Sequence, residues 1–179
     1  FVINLTDTDS VILQQFDAAG GAMTLTTDSG TGNNITVSAA ISNTVGNILL
    51  ASGDAITVNS SITNTSGTVS LTADGNITFS DGITTTTGSI SVSADNDTTG
   101  AGDLLMNAGI AIFTSSSTVT LSGENVTLRN VTAGGGALSI TGDKNDDDGG
   151  AEVELNGFLR GTSVTIAAKR ADIDVNADP

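Results

Sequence analysis

Apolar and polar residues alternate in short bursts along the whole chain, most clearly in a unit that is written twice. Residues 46–66 and 67–87 carry apolar side chains at the same offsets: Ile48, Leu50, Ile56, Val58 and Ile62 in the first copy, and Val69, Leu71, Ile77, Phe79 and Ile83 in the second. A two-residue period is that of a strand with one buried face. A fixed repeat of about twenty residues is typical of a solenoid. The pattern therefore predicts an all-β solenoid in which each copy is one coil, here called a rung.

The same unit can be followed from one end of the chain to the other. Its opening alternation predicts eight first strands, at residues 3–5, 23–25, 48–50, 69–71, 90–92, 119–121, 138–140 and 164–166. A second strand follows each of them, at residues 11–13, 35–37, 56–58, 77–79, 104–106, 126–128, 153–155 and 173–175. A third inward position follows at Phe16, Ile41, Ile62, Ile83, Ile110 or Ile112, Val131 and Phe158. Three inward faces per rung predict a triangular, single-stranded parallel β-helix of about eight rungs, with residues 1–179 as one continuous domain.

The length of the rungs varies mainly at one corner. Successive first strands are 20, 25, 21, 21, 29, 19 and 26 residues apart, and nearly all the added length falls between the first and second strands, near 28–34, 95–103 and 143–152. A solenoid extrudes such insertions on its surface. We therefore expect an ion or partner to contact the inserted loops and not the regular rungs.

A file of small polar residues directly follows the second strands. Stacked amides can bond to each other between rungs, as in cross-β structures. We therefore expect a structural ladder of side chains at Ser38, Asn59, Ser80, Asn107, Asn156 and Asn176.

The repeat resembles the parallel β-helix repeats of filamentous-haemagglutinin-type adhesins and related giant bacterial surface proteins. The resemblance lies in an opening strand such as GTVSLTA or STVTLSG followed by a second strand such as ITFS or VTLR, and it covers essentially the whole chain. It implies a right-handed coil, an extracellular or cell-surface location, and service as a stalk or passenger segment.

Charge narrows the range of partners. The chain has 20 acidic and five basic residues, a net charge of −15, and no cationic side chain before Arg129. Nucleic acids and anionic membrane surfaces are excluded as partners because both are bound by Lys and Arg. The sequence contains no run of 18 apolar residues, so no membrane-spanning helix is predicted. Because the sequence shows neither an initiator Met nor a signal peptide, we expect it to be a piece of a longer protein.

The acidic residues concentrate between the first and second strands, where 15 of the 20 fall. Carboxylate and carbonyl oxygens are the ligands of Ca²⁺, which makes two of the inserted loops candidate calcium sites. The candidate ligands are Asp95, Asp97 and Asp103 in one loop and Asp143, Asn145 and Asp147 in the other. Neither inserted loop matches the EF-hand pattern. The alternative interpretation is turn chemistry, since Asp, Asn and Gly favour turns, combined with solubility from net charge.

These features predict a non-catalytic structural or adhesive segment of a large secreted or cell-surface bacterial protein. Its expected partner is a glycan or protein on a host or neighbouring cell. One alternative is a filament or sheath subunit that associates end to end through unpaired terminal rungs. Another is a carbohydrate-active β-helix enzyme, which the absence of His, Tyr and Trp disfavours. We expect none of these functions to require a cofactor, and Ca²⁺ is the one candidate ligand.

Overall fold

The computed structural model describes residues 2–14, 16–18, 20–97, 102–143, 152–168 and 172–175, and every regular element in them is a β-strand. In chain order the strands are β1 (Val2–Asp7), β2 (Val11–Leu13), β3 (Phe16–Ala18), β4 (Ala22–Thr27), β5 (Ile35–Val37), β6 (Ile41–Val45), β7 (Ile48–Ser52), β8 (Ile56–Val58), β9 (Ile62–Ser66), β10 (Val69–Ala73), β11 (Ile77–Phe79), β12 (Ile83–Thr85), β13 (Ile90–Ser93), β14 (Leu104–Met106), β15 (Ala111–Thr114), β16 (Val119–Ser122), β17 (Val126–Leu128), β18 (Asn130–Gly142), β19 (Glu152–Leu155), β20 (Leu159–Ala168) and β21 (Asp172–Val175). This part of the chain contains no helix that could cross a membrane.

The strands stack in three parallel ladders. The first ladder runs β1-β4-β7-β10-β13-β16 and ends in the second halves of β18 and β20. The second ladder is a separate sheet of eight strands, β2-β5-β8-β11-β14-β17-β19-β21. The third ladder runs β3-β6-β9-β12-β15 and ends in the first halves of β18 and β20. Because β18 and β20 pass through the corner between the third and first ladders, these two ladders form one sheet of 13 strands.

The predicted parallel β-helix of eight rungs is confirmed. Each predicted first strand pairs with the next in the predicted register, as Ile48 does with Val69 and Val69 with Ile90. Inward residues of all three ladders form one apolar core, and in the central rungs their exposure is essentially zero. At a ladder spacing of about 4.8 Å, eight rungs make a coil roughly 38 Å long. The right-handed winding stays an expectation from the resemblance.

In the third ladder, one predicted core position was wrong, and a choice that the sequence left open between two residues is now settled. Phe158 was predicted to point inward, but Leu159 is the residue that pairs with Val131, and Phe158 is 60% exposed. Of the two candidates in the fifth rung, Ile112 pairs with Ile83 and is buried. Both cases have the same cause. Two nearby apolar residues fit the sequence pattern equally well, and only strand pairing with the neighbouring rung shows which of them points into the core.

The polar file after the second strands is held mainly by its backbone. The peptide N–H of Ser38, Asn59, Ser80, Asn107 and Asn156 donates to the carbonyl that ends the second strand one rung earlier, at 2.8–3.0 Å. Between side chains, Asn107 Nδ2 donates to Ser80 Oγ at 3.1 Å. Asn176 lies outside the described residues.

A second polar file, which the sequence pattern did not reveal, lies inside the corner between the third and first ladders. Asn43 Nδ2 donates to the carbonyls of Gly21 (2.9 Å) and Gly46 (3.2 Å), and Asn64 Nδ2 donates to those of Gly46 (2.9 Å) and Gly67 (3.1 Å). Both side chains are buried, so each amide joins two rungs from within the core. In the next two rungs the same position is Thr85 and Thr114, whose hydroxyls donate to the carbonyl of Gly88 at 2.5 and 3.1 Å.

The corner between the third and first ladders requires glycine because the backbones of adjacent rungs leave no room there for a Cβ atom. Gly46 and Gly67 both have φ of +105°, a conformation that other residues rarely adopt. A Cβ atom added at Gly46 would lie 2.6 Å from the carbonyl oxygen of Gly21, and one added at Gly67 would meet the carbonyl of Gly46. We call this corner, with Gly21, Gly46, Gly67 and Gly88 stacked along it, the glycine corner.

A third file of residues, which we call the entry ladder, connects the rungs just before the second strands. Here a side-chain oxygen accepts the peptide N–H of the equivalent residue one rung later. The pairs are Ser10 with Asn34 (3.1 Å), Asn34 with Ala55 (3.0 Å), Asn76 with Asp103 (2.8 Å), Asp103 with Asn125 (3.2 Å) and Asn125 with Glu152 (2.9 Å). Ala55 interrupts this entry ladder, because it offers no side-chain acceptor to the peptide N–H of Asn76.

We predict that Gly46→Ala lowers the free energy of unfolding by about 3 kcal/mol, since the added methyl group meets a backbone carbonyl and the backbone is strained. Gly109→Ala is the matched control, because Gly109 also has positive φ (+80°) but an added Cβ would meet nothing within 4 Å. Its expected cost is about 1 kcal/mol. Urea denaturation measures both, and equal costs would show that close rung stacking does not constrain the corner.

We predict that Ala55→Asn stabilises the coil by about 1 kcal/mol, because it supplies the acceptor that the entry ladder lacks at this rung. Ala39→Asn is the control: Ala39 is also half-buried but lies at the corner after a second strand. Thermal unfolding followed by circular dichroism compares the two. A melting temperature that rises equally in both variants, or in neither, contradicts the entry ladder as a source of stability.

Candidate functional site

The segments that connect each first strand to the second strand of its rung form one acidic corner. The acids with described side chains in these segments and at the adjoining strand ends are Asp7, Asp9, Asp28, Asp54, Asp74, Asp95, Asp97, Asp103, Glu124, Asp143 and Glu152. Parallel pairing in register stacks these segments above one another. The chain has no basic residue before Arg129, so the early part of this corner carries negative charge that no neighbouring cationic side chain offsets.

An open groove of about 440 Å³ lies in this corner. It is lined by polar residues and glycines, namely Ser29, Gly30, Thr31, Gly53, Asp54, Asp74, Gly75 and Asp97. A smaller cleft of about 190 Å³ adjoins it and shares Ser29, Gly53 and Asp74. We call the two together the acidic groove. Three carboxylates from three successive rungs, at Asp54, Asp74 and Asp97, therefore border one space.

The first inserted loop, residues 28–34, forms one wall of the acidic groove because it folds over the rung that follows it. Asp54 Oδ2 accepts the peptide N–H of Gly32 at 2.5 Å, which fastens the tip of the loop to the next rung. At the base, the carbonyl of Asn33 accepts bonds from the hydroxyls of Thr27 (2.8 Å) and Ser52 (2.7 Å). The loop is thereby a fixed part of the surface.

Three acids of later rungs are buried at the start of the corner. Asp95, Glu124 and Asp143 are 0%, 3% and 0% exposed. Asp95 and Asp143 have φ of 54° and 48°, the left-handed conformation that Asp tolerates well. The peptide N–H of Asp143 bonds to the carbonyl of Glu124 at 2.9 Å, and that of Glu124 to the carbonyl of Gly102 at 2.8 Å. These positions agree with the turn-chemistry interpretation of the corner.

Asp103 belongs to the entry ladder. Its Oδ1 accepts the peptide N–H of Asn125 (3.2 Å) and also Asn125 Nδ2 (2.8 Å), and its own N–H donates to Asn76 Oδ1 (2.8 Å). These residues line a shallow cleft of about 120 Å³ on the second ladder, together with Leu105 and Thr127. The carboxylate of Asp103 thus connects two rungs.

The predicted calcium ligands that the structure describes lie in different surroundings. Asp97 lines the acidic groove, Asp95 and Asp143 are buried at turns, and Asp103 lies in the entry ladder. Asn145 and Asp147 lie outside the described residues. Among the residues that are described, no group of three or more His, Cys, Asp or Glu is placed to hold a metal ion. Calcium binding therefore stays a prediction.

The expectation that an ion or partner contacts the inserted loops and not the regular rungs stays a prediction, although the acidic groove is bordered by both. Asp54 and Asp74 belong to the two regular units of residues 46–66 and 67–87, yet they line the groove beside the inserted loop and Asp97. The signal was present in the rung alignment, since a loop of seven residues at 28–34 is long enough to reach the rung after its own. What the sequence did not contain was the direction in which that loop folds.

No protein-family model, no curated protein and no solved structure matches the chain. The likeness to adhesin repeats consequently remains a resemblance of sequence pattern.

Proposed function

We propose that the chain is a non-catalytic structural and adhesive segment of a large secreted or cell-surface bacterial protein. In this role the coil is a stiff rod, and the acidic corner is the surface that it presents to a glycan or protein on another cell.

The observation that carries the proposal is the unbroken register of the ladders. Among the described residues, all eight rungs pair in parallel along the first and second ladders, and seven rungs pair along the third. Each also shares the apolar core with the rungs on either side. A rung in such a stack cannot bend or slip without breaking pairing on several faces at once. This arrangement suits a spacer that holds a surface at a fixed distance and orientation.

The acidic groove supports the adhesive part of the proposal. Its volume of about 440 Å³ falls in the range of small-ligand sites, but the lining lacks the apolar and aromatic groups typical of an enclosed pocket. Hydroxyl groups of Ser29 and Thr31 and the carboxylates of Asp54, Asp74 and Asp97 are instead suited to hydrated partners. Such groups bind sugar hydroxyls, or a hard cation that bridges to an acidic glycan.

The same lining makes an enzymatic role for the acidic groove unfavourable. Hydrolysis of a glycoside needs two carboxylates in fixed opposition, or a base such as His, together with groups that hold the sugar ring. The chain has no His, Tyr or Trp. One acid of the groove, Asp54, accepts the N–H of Gly32 and so has a structural use already.

We predict that Ca²⁺ raises the melting temperature more than NaCl of matched ionic strength. At ten times the dissociation constant, binding stabilises by about 1.4 kcal/mol, which corresponds to roughly 3–5 °C for a chain of this size. Because the carboxylates of Asp54, Asp74 and Asp97 border the groove but are not placed as a metal-binding group, a response there requires Ca²⁺ to draw them together. The variant Asp54→Asn/Asp74→Asn/Asp97→Asn should then lose this difference. A control that removes three carboxylates elsewhere, Asp9→Asn/Glu152→Gln/Asp174→Asn, should keep it.

Equal increases in melting temperature with Ca²⁺ and NaCl would mean that the ions only screen the repulsion between carboxylates. That result would contradict a specific calcium site. A full calcium response in the groove variant would place any such site elsewhere.

For the adhesive role, we predict that the labelled chain binds a neutral polysaccharide, or an acidic one when Ca²⁺ is present to bridge the like charges, and that it releases no reducing ends from a polysaccharide panel. Binding should fall at least tenfold in the groove variant and stay within twofold in the control variant, since only the former changes the lining. Reproducible release of reducing ends would overturn the non-catalytic assignment. Equal binding by both variants would overturn the assignment of the contact to the acidic groove.

A further inference from the structure

The fifth rung, residues 90–114, exposes two large apolar side chains where the neighbouring rungs carry hydroxyl groups. Leu105 and Phe113 lie at outward positions of its second and third strands, and each is 39% exposed. Their register partners in the rungs on both sides are threonines: Thr78 and Thr127 for Leu105, and Thr84 and Thr132 for Phe113. The apolar character is therefore confined to one level of the coil.

The segment that joins these two strands continues the apolar surface. We call the segments between the second strand and the first buried residue of the third strand the exit corner. In the fifth rung it comprises residues 107–111, whereas the fourth rung has only residues 80–82 and the sixth only residues 129–130. The exposed apolar or glycine residues of the longer segment are Ala108, Gly109 and Ala111. This segment and the two large side chains together form what we call the apolar ridge, and exposed apolar surface of this kind marks a contact site.

Opposite charges flank the apolar ridge. In the exit corners of the first seven rungs, only Asp81 and Arg129 are charged. Asp81 lies in the fourth rung and Arg129 in the sixth, one rung to either side of the ridge, so they are about 9.6 Å apart along the coil. Most other acids of the chain lie between first and second strands, which makes Asp81 an exception to the charge distribution.

Neither charged side chain has an ion pair among the described residues. Oδ1 of Asp81 accepts the peptide N–H of the adjacent Gly82 at 2.7 Å. Arg129 is half-buried, and its Nε is buried without a hydrogen-bond partner. A guanidinium group in this state gains strongly from a carboxylate supplied by another molecule.

The order of charge, apolar ridge and opposite charge is self-complementary. Consider a two-fold axis that runs across the coil at the level of the fifth rung. It turns a second copy end over end, so that the sixth rung of each copy faces the fourth rung of the other. The apolar ridges then meet each other, and Asp81 of each copy faces Arg129 of the other, as an isologous contact requires. A parallel arrangement would instead set like charges against each other.

We propose that two copies of the chain associate side by side and antiparallel through the exit corner, with the apolar ridge at the centre of the contact. The contact lies within the fourth to sixth rungs. It goes beyond the proposed function and does not rest on it, because the acidic groove lies at another corner of the coil.

The first test uses two charge variants, Asp81→Arg and Arg129→Asp, with sedimentation velocity from micromolar to millimolar concentration. Salt of about 0.15 M screens the repulsion between the two acidic copies. Each variant alone places like charges opposite each other twice in the dimer, and its association constant should fall about tenfold. In an equimolar mixture both pairs of the mixed dimer are again opposite, so the association constant should return to within about threefold of that of the unmodified chain. Recovery in the mixture also shows that both variants fold.

The second test removes the apolar ridge. The variant Leu105→Thr/Phe113→Thr gives the fifth rung the residues of its neighbours, and its association constant should fall at least tenfold. Leu49→Ser is the matched control, because Leu49 is also an outward apolar residue with Thr24 and Ser70 as register partners, but it lies on the first ladder. This control should leave the association constant within about twofold.

The third test determines the direction of the two copies by single cysteines, since the chain has none. Ala108→Cys should give disulfide-linked dimers on air oxidation, because both copies of this residue lie near the two-fold axis. Ser60→Cys, in the third rung, should give none, since antiparallel copies separate these residues by four rungs, about 19 Å, which a disulfide cannot span.

An unmodified chain that stays monomeric up to millimolar concentration would overturn the proposal. Charge variants that associate as the unmodified chain does, or a loss that the mixture does not restore, would overturn the pairing of Asp81 with Arg129. Efficient disulfide formation through Ser60→Cys would show parallel copies and contradict the antiparallel arrangement. The calcium response and glycan binding are measured with variants of a different corner, so failure of either proposal is recognised separately.

Discussion

Everything in this molecule depends on the register in which one rung pairs with the next. Parallel pairing fixes which residues stack, so a residue suited to its position in one rung needs a compatible neighbour above and below it. That single constraint produces the apolar core, in which Ile48 meets Val69 and Val69 meets Ile90. It also gathers the polar residues into files, where one kind of hydrogen bond can be repeated from rung to rung. A slip by one residue would turn the core outward on that face.

The corners meet the constraint in different ways, and the acidic corner does so both in its loops and where it leads into the second strands. At the glycine corner, backbones approach so closely that only Gly fits, and buried Asn43 and Asn64 bridge the carbonyls of adjacent rungs. Before the second strands, acceptors such as Asn125 connect one rung to the next along the surface. The acidic corner accommodates every large insertion, and Asp95 and Asp143 make its turns in the left-handed conformation. The loops that vary in length and charge therefore lie apart from the strands and the glycine corner, which hold the coil together.

The strands were predictable from sequence because burial on one face imposes a two-residue period that survives changes in rung length. The third ladder was less so, since Phe158 and Leu159 are adjacent and the pattern alone could not say which of them turns inward. Asn43 and Asn64 occupy inward positions of their strands, but a polar residue there reads as part of a turn until its carbonyl partners are known. The candidate site was the least predictable, because Asp54 and Asp74 enter it only when the loop at 28–34 folds over its neighbour.

The separation of corners also makes the coil a scaffold for protein engineering. A peptide grafted into the glycine corner would force apart two backbones that are in direct contact, and one grafted before a second strand would remove a bond of the entry ladder. The acidic corner already carries loops of very different length at 28–34 and 95–103 without a change in strand register on either side. Foreign epitopes inserted at the equivalent positions of successive rungs would be displayed in a row, spaced by the rise of the coil at roughly 4.8 Å per rung.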